Sequence, residues 1–372
     1  MDNPFVIVGK IKPEYFCDRE EESARLVRQV TNEGNVVLMS PRRLGKTGLI
    51  DFCFDMPIVR QHYVTIFVDI LRTSSLSEFT YLLGRAVFET LGLRSQKMMK
   101  QVVATLKSLS GSFGYDPVNN VPTFDIKLGD IANPAYTLEE IFACIEQAEK
   151  RCVIAIDEFQ QITNYQEKNI EALLRTYIQH SANANFIFSG SERHLMSEMF
   201  MDSARPFYNS ADIMTLAPIA EDKYLAFVKH HFAKSGRLVD DEAVHAVYRT
   251  VEGNTYYMQK IFHDLYTELD AGATCDTRQT NDAIQRLIAE SHQKYSEMLS
   301  HLSLPQKELL YAVAAEGRAT QITSGAFIRR HHLKSASSVQ AATKKLLDYH
   351  FLSTEMGAYY IEDQLMRLWL LQ

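Results

Sequence analysis

Residues 40–47 read Ser40-Pro41-Arg42-Arg43-Leu44-Gly45-Lys46-Thr47, and they follow directly on the apolar run Val36-Val37-Leu38-Met39. A helix-compatible segment, residues 49–53, comes next. An apolar strand, a loop that ends in Gly-Lys-Thr and a helix form the context that a phosphate-binding loop requires. The usual pattern has glycine where Ser40 stands, and serine is acceptable there if the backbone does not need a positive φ. The sequence therefore predicts a site for the phosphates of a nucleotide.

The predicted phosphate site divides its tasks among a few groups. Backbone amides at the start of the helix face the phosphates, Lys46 reaches the β- and γ-phosphate oxygens, and the Thr47 hydroxyl completes a Mg²⁺ shell. The residues expected around the phosphates form one run: Ser40, Pro41, Arg42, Arg43, Leu44, Gly45, Lys46, Thr47 and Gly48.

A second half-motif follows another apolar run. Residues 152–156 are continuously apolar, as expected of a strand buried on both faces, and they end in Asp157-Glu158. Ligands of parallel sheets collect at the carboxyl ends of the strands, which places these acids beside the phosphate loop. Asp157 is expected to hold Mg²⁺ through water, and Glu158 to polarise the attacking water. A buried strand followed by a solvated acidic loop is the alternative, but two half-motifs in this order favour the nucleotide site.

Composition sets limits on the class of protein. A chain of 372 residues predicts two or three domains, and its 46% hydrophobic and 23% charged residues are typical of a soluble globular protein. The net charge of −7 argues against a chain that coats nucleic acid along its whole surface. No apolar run could span a bilayer, and the amino terminus lacks a secretion signal. The cysteines are scattered: Cys17, Cys53, Cys144, Cys152 and Cys275. We expect a cytoplasmic protein with reduced core cysteines and no membrane partner.

Three domains are predicted along the chain. Residues 1–217 form an α/β nucleotide-binding domain with strands at 35–40, 63–69, 152–157, 185–190 and 212–216. Residues 218–298 have helical periodicity, with Tyr224, Phe227 and Phe232 on one face. Segment 108–136 is rich in Ser, Gly, Asn and Pro, contains one short strand candidate at 123–126, and has no assigned role.

The last domain, residues 299–372, has the pattern of a winged helix. An apolar-faced helix ends near Gly317, a short helix covers 324–332, and a longer one begins near Ser335. A hairpin-like segment at 351–361 completes three helices and a two-stranded wing.

With these residues in place, the chain resembles the archaeal-type ATPases of the STAND branch of AAA+ proteins over nearly its whole length. Residues 41–47 are similar to the family's Pro-Arg-Arg-x-Gly-Lys-Thr, which is the most specific match. Residues 16–22 resemble its Phe-x-Gly-Arg-Glu segment, which helps to wall the adenine; Arg19 matches, and Asp18 replaces the glycine. The resemblance implies a P-loop NTPase with an α/β parallel-sheet core, a helical lid domain and a C-terminal winged-helix domain.

The resemblance also implies further site residues. Residues 185–191 look like the sensor strand, whose polar residue would be Ser191 or Ser189; a helix cap is the alternative role for Ser191. The family's Pro-Leu-Tyr-x-Arg segment is matched only in part at 206–210, so Arg205 is the candidate substitute for the missing arginine finger, and an exposed arginine without catalytic duty is the alternative. Thr255 stands where the family has a proline that packs against the nucleotide.

Three functional hypotheses follow from these motifs. The first is a Mg²⁺-dependent ATPase that binds ATP and ADP between the α/β domain and the lid, and acts as a nucleotide-controlled switch. The second is a DNA- or protein-binding regulator with nucleotide as a structural ligand and little or no hydrolysis. Glu158 favours the first, because a binding module does not need a water-polarising acid. The third, a remodelling ring, is disfavoured by the missing arginine, and the oligomeric state stays undetermined.

The winged helix supplies the candidate partner surface. Its recognition helix carries Lys344 and Lys345, and Arg329 and Arg330 lie just before it. These residues could contact DNA phosphates, or the same polar face could dock on protein. The modest local charge favours the protein contact.

Overall fold

The computed structural model describes residues 2–92, 96–108, 113–116, 121–124 and 131–372. The chain divides into two compact units. One comprises Arg19–Ala217, and the other joins Pro218–Gln372 to the amino-terminal segment that ends at Asp18. The division at 217/218 coincides with a predicted domain boundary, whereas the predicted boundary at 298/299 falls inside the second unit. The three-domain scheme stays a prediction.

The first unit alternates helices and strands. Its elements are α1 (Glu20–Thr31), β1 (Val36–Met39), α2 (Lys46–Asp55), α3 (Pro57–His62), β2 (Val64–Asp69), α4 (Leu76–Leu91), α5 (Gln96–Thr105), β3 (Phe113–Asp116), β4 (Val121–Phe124), α6 (Pro134–Glu146), β5 (Cys152–Asp157), α7 (Ile170–His180), β6 (Ala184–Gly190), α8 (Arg193–Met201) and β7 (Asp212–Thr215). Five strands form one parallel sheet in the order β2-β5-β6-β1-β7. They are the five strands predicted from the sequence, with bounds that differ by no more than one residue. The predicted parallel-sheet core is therefore confirmed.

The sheet order brings three strand ends together. The strand β6 lies between β1 and β5, and all residues of these three strands are buried. The register sets Met39 of β1 opposite Gly190 of β6, and Ile156 of β5 opposite Phe188 of β6. The loops that follow β1, β5 and β6 consequently leave the same edge of the sheet, where ligands of parallel sheets bind.

Segment 108–136 is described in part. The strands β3 and β4 pair antiparallel, with Phe113 opposite Phe124. The predicted short strand at 123–126 overlaps β4 at residues 123 and 124, and residues 125 and 126 lie outside the described residues.

The second unit is mainly helical. Its elements are a 3₁₀ turn (Pro13–Tyr15), α9 (Glu221–Lys234), β8 (Leu238–Val239), α10 (Asp241–Thr250), α11 (Thr255–Glu268), β9 (Thr274–Cys275), α12 (Thr277–Glu290), α13 (His292–Ser300), α14 (Leu304–Glu316), β10 (Ala319–Thr320), α15 (Gly325–Arg330), α16 (Ala336–Asp348), β11 (Ser353–Glu355), β12 (Ala358–Tyr360) and α17 (Gln364–Leu370). Across the described part of the chain, no helix is both long and apolar enough to cross a bilayer.

The carboxyl-terminal part of this unit has winged-helix architecture. The strand β10 lies between α14 and α15, and β11 and β12 follow α16. The three strands form an antiparallel sheet in the order β10-β12-β11. Ser324 and Ser335 cap α15 and α16 through their side chains, which accept hydrogen bonds from Phe327 N and Ser338 N. The predicted wing had two strands. The structure adds β10, whose two residues are too short a run to show a periodic pattern.

The amino-terminal segment supplies a core residue to the second unit. Phe5 is fully buried among Phe227, Phe232, Phe262 and Tyr266, with ring centroids 5.7–5.8 Å apart. The Phe5 carbonyl is 2.8 Å from His263 Nδ1. Residues 2–18, which the sequence assigned to the first domain, are therefore anchored in the second unit.

Candidate nucleotide-binding site

The phosphate-binding loop, residues 40–47, passes from β1 into α2 through left-handed residues. Arg43 has a φ of 69°, and Gly45, with a φ of 91°, directly precedes α2. Glycine takes this conformation without strain. Ser40 is not among the residues with positive φ, so it meets the condition that serine requires at the start of the motif. The loop therefore has the strand-turn-helix form that its sequence predicts.

Lys46 lies inside this loop. Its side-chain nitrogen donates to the Ser40 carbonyl at 3.0 Å and lies 3.4 Å from both Ser40 Oγ and the Pro41 carbonyl. The residue is only 7% exposed. The loop thus folds around the ammonium group, as expected of the lysine that contacts phosphate oxygens.

Thr47 and Asp157 meet across the edge of the sheet. Thr47 Oγ1 donates to Asp157 Oδ2 at 2.9 Å, and Asp157 is 7% exposed. A hydroxyl and a carboxylate are the hard oxygen ligands that Mg²⁺ takes in nucleotide sites. The predicted metal pair is therefore assembled, and its chemistry fits a magnesium nucleotide.

Glu158 has a strained backbone and a well-bonded side chain. Its φ of 55° is left-handed, which is uncommon for a residue other than glycine. Its Oε2 accepts hydrogen bonds from Ser191 N at 3.3 Å, Ser191 Oγ at 2.7 Å and Gln160 Nε2 at 2.6 Å. The structure thus joins the predicted base to the predicted sensor residue.

Ser191 is the serine of the sensor segment that lies in the site. Its Oγ also accepts from Arg42 Nε of the phosphate loop, 3.4 Å away. The amino-terminal cap position of α8 is Glu192, and no side chain caps that helix. Ser189 Oγ is instead buried in β6 with no hydrogen-bond partner among the residues described.

Two further residues of this edge were missed by sequence reasoning. Asp69, the last residue of β2, pairs in register with Asp157. Burial raises the pKa of Asp69, and the carboxylates of Asp157 and Glu158 act in the same direction. Gln160, which is 1% exposed, donates to Glu158. The sequence did carry a signal for Asp69, because it is an acidic residue at the carboxyl end of the second predicted strand.

Arg19 connects α1 to the phosphate loop. Its guanidinium lies 2.7 Å from Glu22 Oε1 and donates to the Leu44 carbonyl at 3.3 Å, and the residue is 4% exposed. Arg19 has a φ of 73° and Asp18 a φ of 55°. Residue 18 is thus left-handed, a conformation that glycine takes without strain. This explains why the motif has glycine at the position that Asp18 occupies in this chain.

Comparison with known proteins agrees with this geometry. Residues 16–261 match a family described as "ATPase domain predominantly from Archaea". The chain belongs to this ATPase family. Residues 293–372 match a second family, described as a probable winged helix domain. No curated protein sequence matches the chain significantly.

Solved structures share the fold at low sequence identity. The Walker-type ATPase PABY2304 of Pyrococcus abyssi is 17% identical with a TM-score of 0.69, covering 99% of this chain and 100% of its own. The Aeropyrum pernix ORC2 protein, solved as ADPNP–ADP complexes, is 12% identical with a TM-score of 0.59, covering 99% and 97%. The Aeropyrum pernix ORC1 protein in complex with DNA is 11% identical with a TM-score of 0.53, covering 99% and 96%. These likenesses establish the fold of this archaeal-type ATPase.

The ATPase domain holds Arg205 in an ion-pair network. The guanidinium binds Glu171 of α7, and it lies 2.8 Å from Glu198 Oε1 of α8. Burial raises the pKa of Glu171, and the charge of Arg205 opposes that shift. Every side-chain hydrogen bond found for Arg205 within the described ranges goes to these two carboxylates. Its proposed finger role stays a prediction, and the observed contacts favour a local structural role.

Thr255 lies in the second unit, as the first residue of α11. Its Oγ1 is buried and has no hydrogen-bond partner in the part of the chain that is described. The preceding residue, Asn254, caps the helix by accepting from Tyr257 N at 3.3 Å. A nucleotide contact by Thr255 stays a prediction.

The basic residues of the winged helix differ in their surroundings. Lys344 and Lys345 of α16 and Arg329 of α15 are exposed. Arg330 lies 2.6 Å from Glu316 Oε1, and Lys345 lies 4.0 Å from Asp348. Lys344 and Arg329 are thus the better candidates for contact with an anionic partner.

Proposed function

We propose that this protein is a Mg²⁺-dependent ATPase that acts as a nucleotide-controlled switch and signals through its winged helix. The observation that carries the proposal is the Thr47–Asp157 pair at 2.9 Å, with Glu158 next along the chain and bonded to Ser191. A site for nucleotide binding alone needs the phosphate loop and a metal ligand. A carboxylate fixed beside them serves hydrolysis.

Each residue of the proposed site has one task. Mg²⁺–ATP supplies the phosphoanhydride bond and the metal that neutralises charge on the phosphates. Lys46 and the backbone amides of the loop bind the phosphates, and Thr47 and Asp157 hold the metal. Glu158 orients the attacking water and accepts its proton. Ser191 links Glu158 to Arg42 of the loop, so it is well placed to respond to the γ-phosphate.

Contacts inside the second unit support a signalling role. Tyr257 of α11 donates to Asp363, the residue that caps α17 of the winged helix, and Tyr295 of α13 contacts both carboxylate oxygens at 3.2 and 3.3 Å. Gln364 Nε2 donates to Glu252 Oε2 at 2.8 Å. A conformational change in segment 252–257, where the sequence places the nucleotide-contacting part of the lid, is transmitted to the winged helix through these bonds.

The proposed location is the cytoplasm. All five cysteines are buried outside any disulfide, and burial raises the pKa of Cys53, Cys144 and Cys275 to about 12. A thiol with so high a pKa stays protonated and unreactive, as expected of a cysteine that packs in the core. Buried cysteines outside disulfides are typical of proteins in a reducing compartment such as the cytoplasm.

A regulator with little hydrolysis is the second candidate, and the exposed basic residues of the winged helix favour it. Lys344 and Arg329 can meet phosphates, and the ORC1 structure with the same fold is a complex with DNA. A protein partner can dock on the same polar face, and the modest local charge favours it over DNA.

Steady-state ATP turnover by the full chain, with and without Mg²⁺ and duplex DNA, tests the proposal. Mg²⁺-dependent phosphate release is expected, and it should be absent in Lys46→Ala. Asp157→Asn should raise the Mg²⁺ concentration needed for half-maximal turnover. Tight nucleotide binding with no phosphate release under any condition would favour the regulator instead.

A further inference from the structure

Gln160 is a buried amide whose contacts centre on the proposed base. It lies in the 3₁₀ turn Phe159–Asn164 directly after Glu158, and it is 1% exposed. Its Nε2 donates to Glu158 Oε2 at 2.6 Å. Burial of a long polar side chain is costly, so its contact with a carboxylate calls for a functional explanation.

The orientation of the Gln160 amide supports this emphasis on Glu158. Its Oε1 is buried and has no hydrogen-bond partner among the described residues. Turning the amide over would set that oxygen against the Glu158 carboxylate, where two acceptors repel. The observed orientation therefore leaves Gln160 Oε1 without a donor among the described residues and keeps Nε2 on Glu158. An unsatisfied buried oxygen destabilises the fold, so the hydrogen bond to Glu158 must have a compensating role.

The backbone of Glu158 needs this support. A glutamate with a φ of 55° is strained, and strained residues persist where their surroundings fix them firmly. Two donors from Ser191 and one from Gln160 converge on Oε2. Its other oxygen, Oε1, accepts no hydrogen bond from the residues that the structure describes. One oxygen is held and the other stays available.

Gly190 provides the space that Gln160 occupies. A Cβ built on Gly190 would lie 2.6 Å from Gln160 Oε1 and 2.6 Å from Met196 Cγ and Sδ, well inside contact distance. A side chain at residue 190 would therefore displace the Gln160 amide and Met196. The absence of a side chain at residue 190 leaves room for the Gln160 amide beside the end of β6.

We propose that Gln160 is a positioning residue for ATP hydrolysis: with Ser191 it fixes Oε2 of Glu158 and leaves Oε1 to accept the proton of the attacking water. Gln160 acts through Glu158 and does not itself touch the reacting atoms. The inference rests on the proposed ATPase function of the same site. It adds a residue that neither the motif nor the resemblance assigns.

Gln160→Met tests this role because methionine keeps the volume and removes the donor. We expect kcat for ATP to fall about 10- to 100-fold, the change in rate that corresponds to one hydrogen bond to a charged group. The Kd for Mg²⁺–ADP should stay within about twofold, because the side-chain hydrogen bond found for Gln160 goes to Glu158 and, among the described residues, none goes to the phosphate loop. The matched control is Gln161→Met, since the Gln161 amide donates to the Thr73 carbonyl at 2.8 Å.

A double-mutant cycle separates positioning from general damage. In a Glu158→Gln background, Gln160→Met should lower the residual rate no further, because the group that it positions is already disabled. Gln160→Asn, which withdraws the amide by one methylene and adds no bulk, should reproduce the loss of kcat if Gln160→Met does not fold.

The outcomes distinguish this inference from the proposed function. A parent chain without turnover, with or without duplex DNA, overturns hydrolysis and the positioning role together. A parent that hydrolyses ATP while both Gln160 variants keep full kcat overturns the positioning role alone. A further loss of rate in the Glu158→Gln background would make Gln160 a structural residue, and the inference would also be wrong.

Discussion

Asp363→Ala should weaken the second unit, because this carboxylate joins three parts of it. Asp363 accepts from Met366 N at 3.2 Å as the cap of α17, and it also accepts from the hydroxyls of Tyr257 and Tyr295. Those tyrosines are 2% and 1% exposed, so alanine would remove a charged acceptor from the hydroxyls of two buried side chains.

The size of the effect follows from these three bonds. Loss of a helix cap costs about 1 kcal/mol, and loss of a hydrogen bond from a hydroxyl to a charged acceptor costs about 1–3 kcal/mol. Because Asp363 itself is only partly buried, the lower values apply, and the expected loss is about 3 kcal/mol. In a unit of this size such a loss corresponds to a fall in Tm of roughly 6–12 °C.

Differential scanning calorimetry of the full chain measures this loss. Asp348→Ala is the matched control, since Asp348 is exposed and its ion pair with Lys345 Nζ is long, at 4.0 Å. This substitution should change the free energy of unfolding by less than about 0.5 kcal/mol. Tyr295→Phe should be less damaging in the Asp363→Ala background than alone, because both changes break the same bonds. If Asp363→Ala melts at the same temperature as Asp348→Ala, the bonds to Asp363 contribute nothing and the proposed signalling path loses its physical basis.

Three further predictions concern other parts of the chain. Lys46→Ala should weaken Mg²⁺–ATP binding by at least tenfold in equilibrium titrations, and unchanged affinity would show that the phosphate loop is misassigned. Asp18→Ala should be less stable than Asp18→Gly by about 1 kcal/mol, because both variants lack the same carboxylate and alanine alone is strained at the φ of 55°; equal denaturation midpoints for the two variants would refute this. Burial lowers the pKa of His231 from 6.5, so the unfolded chain binds its proton first, and stability should be fully present above about pH 6.5 and decline below it. His231→Leu should reduce the difference in unfolding free energy between pH 7 and pH 5, measured by urea titration at each pH. A difference as large as that of the parent would contradict this prediction.

Local signals predicted most of the fold. The strands β1, β5 and β6 are recognisable as apolar runs because they are fully buried. The helices α15 and α16 are recognisable because each begins after a capping serine, Ser324 or Ser335, and a cap is a short-range signal. The third wing strand, β10, has only two residues and carries no pattern of its own.

Long-range packing explains what the sequence did not predict. Phe5 is buried because α9 and α11 enclose it, and no local pattern in residues 2–18 indicates that contact. Gln160 reaches Glu158 only because residue 158 is left-handed and Gly190 leaves room. The pairing of Arg205 with Glu171 and Glu198 likewise depends on how α7 and α8 pack.

Single-turnover hydrolysis of ATP by Glu158→Gln, compared with the parent, tests the central claim most directly. The amide keeps the shape of the side chain and loses its basicity, so the Kd for Mg²⁺–ATP should be unchanged. The rate of phosphate release should fall by about 10²–10⁴-fold, the contribution of a general base. Equal rates for Glu158→Gln and the parent, at equal nucleotide occupancy, would contradict the assignment of Glu158 as the base of an ATPase.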